Sequence, residues 1–253
     1  MPRPVFQNPH LDGSTFLLPG SSTGILLFHG FTATTVEIRP LAECLNQAGY
    51  TIKAPLIPGH GTRPEDMLKV HWRDWVSCAD KAFTELTNQC ENVVVAGESM
   101  GGLLSLHLAS RHADIRGVML YAPALKIDGI WKAYLMAPFK KIVPKGYIKD
   151  DDEEELFPWQ GYNVLPLPAV IQLNRLQKVV TKKLRKVHQP LLVMQGELDR
   201  TINPNSSRII INEVSSSQKE LIWLKRSGHC VVLDREFEEV KRASLEFLRG
   251  LSL

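Results

Sequence analysis

Short, mostly apolar runs with no polar alternation are interspersed along this chain with segments whose apolar residues recur at helical spacing, and that pattern leaves few folds open. Residues 23–30 (TGILLFHG), 92–97 (NVVVAG), 116–125 (RGVMLYAPAL) and 190–199 (PLLVMQGELD) show no alternation of apolar with polar. A strand of that kind is covered on both faces. Between such runs lie segments like 36–49, with apolar Ile38, Leu41, Ala42 and Leu45 before a terminating Gly49, and the amphipathic 71–90. Strands separated by helices pair in parallel through right-handed crossovers, so the expectation is a doubly wound, mostly parallel α/β sheet.

The rhythm breaks once. Between 126 and 187 no central strand is apparent; instead there is an aromatic stretch (IWKAYLMAPF), an acidic run at 150–155, a Pro-rich patch (LFPWQGYNVLPLP) and a helical pattern (AVIQLNRLQKVV). This is too long for a plain loop. It is read as a mostly helical insertion, dividing the chain into a core of 1–125 plus 188–253 and an inserted 126–187. The acidic run reads as a solvated surface segment.

Composition narrows the function. Thirty basic against twenty-seven acidic residues leave a net charge of +3, too balanced for a nucleic-acid or anionic-membrane surface. Cys44, Cys78, Cys90 and Cys230 fall in no CxxC pair, which argues against a zinc or redox site. The N-terminal twenty residues lack the continuous apolar core of a signal peptide, and nowhere do eighteen apolar residues run together. The chain is therefore expected to be a cytoplasmic protein without an integral membrane segment, its thiols reduced.

The run 92–97 leads through Gly97-Glu98-Ser99-Met100-Gly101 directly into a leucine-rich helical segment. A lone hydroxyl at a sharp strand-to-helix turn, flanked by residues without a Cβ, is the G-x-S-x-G pattern of an exposed nucleophile. The blander reading is an ordinary helix-capping serine. A phosphate loop is excluded in form, since neither GxGxxG nor GK[ST] is present.

A serine hydroxyl needs a histidine to take its proton and a carboxylate to orient that ring. With the chain order nucleophile, acid, base, the histidines after Ser99 are His107, His112, His188 and His229. The first two lie on the helix leaving the turn, and no acid loop accompanies His188. His229 follows the last apolar strand and Asp199 follows the one before it, so both sit at the strand-end rim where open α/β sheets bind ligands. Asp128 and Glu197 are weaker candidates for the acid. His29 and His60 precede Ser99 and read as loop-shaping residues. The turn after the first long strand would direct the Phe31 amide into the site, and the Met100 amide would supply a second donor to a developing oxyanion.

The segments HGFTAT…EIRPLA, APLIPGHG, GESMGG, GELDRTINP and SGHCVVLD together resemble the α/β-hydrolase family, within it the small bacterial carboxylesterases and monoacylglycerol lipases. The resemblance implies an α/β-hydrolase fold, with Ser99 as nucleophile, Asp199 as acid, His229 as base, Phe31 and Met100 as oxyanion donors, and 126–187 as a cap over the site. Glu98 departs from the pattern, for relatives often carry an apolar residue beside the serine.

The expected reaction is hydrolysis of a carboxylic ester through an acyl-enzyme, requiring neither metal nor organic cofactor. Apolar cap residues, notably Trp131, Met136 and Phe139, together with Phe31, suit an aliphatic acyl chain. A small ester of short to medium acyl length is the expected substrate, with a monoacylglycerol as the alternative. A serine nucleophile argues against dehalogenase or epoxide-hydrolase chemistry. Carbon–carbon bond hydrolysis and cofactor-free perhydrolysis could use the same groups, and a non-catalytic binding protein would be expected to lack one of them.

Overall fold

The computed structural model describes residues 4–146 and 156–251. The acidic run 150–155 lies outside the described residues. Two short strands, β1 (Phe6–Gln7) and β2 (Phe16–Leu18), precede β3 (Thr23–Phe28), α1 (Arg39–Gln47), β4 (Thr51–Ala54), α2 (Trp72–Thr87), β5 (Asn92–Glu98), α3 (Met100–Ala109) and β6 (Gly117–Tyr121). The middle of the chain forms α4 (Lys132–Met136), β7 (Ile142–Pro144), β8 (Gly161–Tyr162), β9 (Val164–Pro166) and α5 (Leu167–Thr181). The chain continues through β10 (Leu191–Gly196), α6 (Asn205–Glu213), β11 (Lys219–Leu224) and α7 (Phe237–Gly250).

Seven strands make one sheet in the order β2-β4-β3-β5-β6-β10-β11, parallel throughout except for the antiparallel edge strand β2. The mostly apolar runs behave as their composition demands, since alternate side chains of one strand enter different cores. Val93 and Val95 of β5 join a cluster with α2, α3 and α5, whereas Val94 and Ala96 pack on the side of α1 and α7. Helix α2 turns Trp75, Val76, Ala79, Ala82, Phe83 and Leu86 inward, a single stripe at helical spacing. Its first turn is closed by the Asp74 carboxylate, which accepts the His71 amide at 2.7 Å. Helix α1 ends where Gly49 adopts φ 102 and the Tyr50 amide returns to the Leu45 carbonyl at 3.3 Å, turning the chain into β4.

Helix α3 is buried at every one of its residues, because the sheet covers one side and α2 and α5 cover the rest. That explains its lack of a polar face. The chain runs from β3 to β4 in one direction across the sheet and from β5 through β6 to β11 in the other. The reversal opens a crevice beyond the carboxyl ends of β3 and β5, where ligands of open α/β sheets bind.

The interval 126–187 is less helical than its composition suggested. It contains α4 and α5 but also β7 to β9, which form two small antiparallel pairs, β7 with β9 and β8 with β1, apart from the main sheet. Each of these strands is only two or three residues long and has no room for a periodicity. Ala133, Ala137 and Leu167 make a small cluster of their own. Helix α5 buries Ala169, Leu173, Leu176 and Val180 in the cluster it shares with β5 and β6. Among the described residues no helix is long and apolar enough to cross a membrane.

Candidate active site

At the end of β5 the chain turns at Ser99 with φ 52 and ψ −110, a conformation that costs a non-glycine residue energy and persists only when its surroundings impose it. Three backbone hydrogen bonds do so here. The Ser99 amide donates to the Tyr121 carbonyl at 2.8 Å, and the Ser99 carbonyl accepts the amides of Gly102 and Ala124, both at 3.1 Å. The flanking glycines are required sterically: a Cβ on Gly97 would lie 2.3 Å from the backbone carbon of Gly101, and one on Gly101 would lie 2.3 Å from the Phe28 carbonyl oxygen. Strand, turn and helix thus touch backbone to backbone, and the hydroxyl is presented at the start of α3.

The loop after β11 carries His229 to this hydroxyl, with Nε2 at 3.0 Å from the Ser99 Oγ. Its Nδ1 lies 2.9 Å from the Asp199 Oδ2. The carboxylate can only accept, so Nδ1 carries the proton and Nε2 is left to receive one from the serine. Asp199 is itself fixed: Oδ1 accepts the amides of Thr201 at 2.8 Å and Ile202 at 3.0 Å, and Oδ2 also accepts Gln195 Nε2 at 2.9 Å. The His229 loop is anchored by the Gly228 amide, which donates to Asp234 Oδ2 at 2.6 Å. It lies so close to β10 that a Cβ on Gly196 would come within 2.0 Å of the Gly228 oxygen.

Burial pushes the His229 pKa down, but the negative charge and hydrogen bond of Asp199, with a further contribution from Glu37, outweigh it and hold the value above the usual range. For Asp199 burial pushes up, and the charge of His229 with three hydrogen bonds brings the carboxyl below its ordinary value. Asp128 accepts both its hydrogen bonds from Asn203, at 3.0 and 2.8 Å, and takes no part in the pair.

The turn after β3 lies against the serine, for a Cβ on Gly30 would sit 3.3 Å from that of Ser99. Among the described residues neither the Phe31 nor the Met100 amide donates a hydrogen bond. His29 braces this turn from within. Its Nε2 accepts the Ile57 amide at 3.1 Å, leaving Nδ1 to donate to the Gly30 carbonyl at 2.9 Å. Burial lowers its pKa to about 4, so the ring is neutral. His60 packs edge-on against it, 5.0 Å between ring centres. Phe31 is edge-on to Trp75 at 6.0 Å. Trp131, Met136 and Phe139 are 60%, 40% and 89% exposed and face outward.

Three polar residues in this region escaped the sequence reading. Glu37 is buried and accepts the Gly30 amide at 2.5 Å and the Trp159 indole N–H at 3.0 Å. Lys145 places Nζ 2.5 Å from the Thr32 hydroxyl and 4.6 Å from the centre of the Trp159 ring, and burial lowers its pKa to about 8. Gln195 joins Asp199 to Ser207, whose hydroxyl donates to its carbonyl oxygen at 2.8 Å. None belongs to a short-range pattern; only the acid of the EIRPLA segment offered a hint.

Glu98 is wholly buried; the Val232 amide faces its carboxyl, but no well-formed hydrogen bond reaches either oxygen among the described residues. Burial first, then repulsion from Glu37 and Asp199, raises its pKa well above the usual 4.5, against a smaller opposing effect of the Val232 amide. Below pH 4.5 the unfolded chain is protonated too and nothing is lost; above it the unfolded chain ionises while the folded one does not, so this group destabilises increasingly as pH rises toward its folded-state value. Glu98→Leu is therefore expected to raise stability by about 1–3 kcal/mol at neutral pH, and by less at acid pH. Urea unfolding of both proteins across that range measures it, and a gain independent of pH would contradict the assignment.

A seven-stranded, mostly parallel sheet with a serine turn of this kind at its crevice has the architecture of an α/β-hydrolase. A model of the serine aminopeptidase S33 family of hydrolases matches residues 21–160 and 163–236, and the chain belongs to that family. It is 34% identical over 246 residues to a thermostable monoacylglycerol lipase of Bacillus sp. (strain H-257), covering 95% of this chain and 96% of that one. It is 31% identical over 242 residues to a carboxylesterase of Bacillus subtilis (strain 168), covering 93% and 96%. The solved structure of a metagenome-derived lipolytic enzyme superimposes with a TM-score of 0.88 at 31% identity, over 94% of this chain and 97% of that one.

Proposed function

We propose that this protein is a carboxylic-ester hydrolase in which Ser99 attacks the ester carbonyl, His229 is the general base and acid, and Asp199 orients and charges the imidazole. The observation that carries the reading is the unbroken hydrogen-bonded chain from Ser99 Oγ through both nitrogens of His229 to Asp199. As Oγ bonds to the carbonyl carbon, its proton passes to Nε2 and the carbonyl oxygen takes up negative charge. The amides of Phe31 and Met100 are assigned to that oxygen, and the start of α3 adds a favourable field. His229 then protonates the departing alcohol. Water repeats the sequence on the acyl-serine, releasing the acid and restoring the hydroxyl.

We assign 126–187 as the cover over the site. Phe31 begins the acyl surface in this assignment, and Trp131, Met136 and Phe139 extend it toward the exterior. Apolar and aromatic side chains without a fixed polar partner suit a flexible aliphatic chain. Short to medium acyl monoesters follow as substrates, with monoacylglycerols the second reading, favoured by the named Bacillus relative.

The test is a p-nitrophenyl ester series from acetate to palmitate, run beside 1-monoacylglycerols. Turnover should peak at a short or medium acyl length. A higher kcat/KM for monoacylglycerols than for the p-nitrophenyl ester of the same acid would establish the lipase reading over the general esterase. Absence of turnover on every ester would overturn both.

A further inference from the structure

Glu37 stands where three parts of the molecule meet, and every neighbour in reach offers it a hydrogen. The Gly30 amide lies at 2.5 Å from one oxygen; the Trp159 indole N–H at 3.0 Å and the Cys230 thiol at 3.9 Å address the other. No acceptor is among them, so these donors favour the ionised carboxylate, as do the charges of His229 and Lys145; burial works against them and pushes the Glu37 carboxyl above its ordinary value. Gly30 precedes Phe31 in the turn beside Ser99, Cys230 follows His229, and Trp159 begins a strap, residues 159–162, that returns from the cap. The strap is stitched to the same turn: the Thr34 amide donates to the Gln160 carbonyl at 3.1 Å and the Tyr162 amide to the Thr32 carbonyl at 2.9 Å.

Burying a carboxylate is costly, and Glu37 makes no direct ion pair among the described residues; Lys145 and His229 act on it only through their charge. A glutamine would accept one of these donors without that cost. The charge therefore calls for a use beyond packing.

We propose that Glu37 is a positioning residue for ester hydrolysis: it holds the Gly30–Phe31 turn in register with Ser99, ties that turn to the cap through Trp159, and places a fixed negative charge beside His229. The inference rests on the functional reading above, with the Phe31 amide as an oxyanion donor. The charged groups that bear on His229 are Asp199, Glu37 and Lys145, the first two raising its proton affinity and the last lowering it. Glu98 bears on Glu37 and Asp199 in turn, and its burial disfavours its charged form. Removing the Glu37 charge leaves Lys145 less opposed, and His229 then loses its proton at a lower pH.

The test compares Glu37→Gln, Glu37→Asp and Trp159→Phe with the wild type on p-nitrophenyl acetate, with thermal unfolding as a check on folding. Glu37→Gln should lower kcat at least tenfold with KM changed less than threefold, and shift the acid limb of kcat/KM to lower pH. Glu37→Asp keeps the charge but shortens the reach, so the limb should stay in place while kcat falls. Trp159→Phe cuts only the strap contact, so kcat should fall at least threefold with the limb unmoved. Wild-type kcat and an unmoved limb in folded Glu37→Gln would overturn the proposal. So would a loss of activity that only tracks the folded fraction. Should Glu37→Gln fail to fold, unchanged kcat in both other variants would overturn it equally. A wild type inactive on all esters would instead remove the functional reading itself.

Discussion

Ser99→Ala should lower kcat on the best p-nitrophenyl ester by about 10,000-fold or more, with thermal unfolding nearly unchanged. The two expectations share one cause. Ser99 holds φ 52 through backbone hydrogen bonds to Tyr121, Gly102 and Ala124, which the substitution leaves intact. Only the Oγ–His229 contact at 3.0 Å disappears, and with it the atom that would carry the acyl group. A fluorophosphonate probe should add mass to the wild type and not to the variant. Ester turnover within tenfold of wild type would mean that another group attacks the substrate. A large drop in melting temperature would mean that the turn needs the side chain to keep its shape.

Asp199→Asn should cost about as much, again near 10,000-fold in kcat, although the volume of the side chain hardly changes. The carboxylate accepts from His229 Nδ1, Gln195 Nε2 and the amides of Thr201 and Ile202, and all four are donors. An amide can satisfy the two backbone donors with its oxygen, but its nitrogen then faces Nδ1. That favours the tautomer with the proton on Nε2, the wrong end for accepting from Ser99. The loss of charge also lowers the proton affinity of His229, so the residual activity should keep its acid limb at a lower pH than in the wild type. For stability the sign is opposite to that at Glu98. The folded-state pKa of Asp199 lies below its unfolded value of 3.8, so its contribution is present above 3.8 and is lost as pH falls through the folded value. A variant retaining more than a hundredth of wild-type kcat would place the orienting carboxylate elsewhere, Glu197 being next to test.

Much of the architecture was legible in local pattern. Mostly apolar runs without polar alternation at β3, β5, β6 and β10 imply burial on both faces, and burial on both faces with intervening helices implies a parallel sheet. The two- and three-residue strands β1, β2, β7, β8 and β9 were not legible, because a pair or triplet of residues has no period and its pairing partner lies far along the chain. Helix α5 read only as part of an insertion, and its packing against β5 and β6 emerges once α2 and α3 are in place.

At the site, the amino-acid sequence by itself determined which groups are proposed to act. G-x-S-x-G demands a tight strand-to-helix turn for steric reasons internal to five residues, and strand-end placement singled out His229 and Asp199 among the histidines and acids. Tertiary structure alone decided the electrostatic setting. Glu37 and Glu98 are both buried glutamates, yet one receives three donors and the other no well-formed hydrogen bond. The proton affinity of each, and through Glu37 that of His229, depends on charges, donors and solvent exclusion contributed by segments tens of residues away. Those segments meet only when the sheet, the turn after β3 and the strap at 159–162 have closed around them.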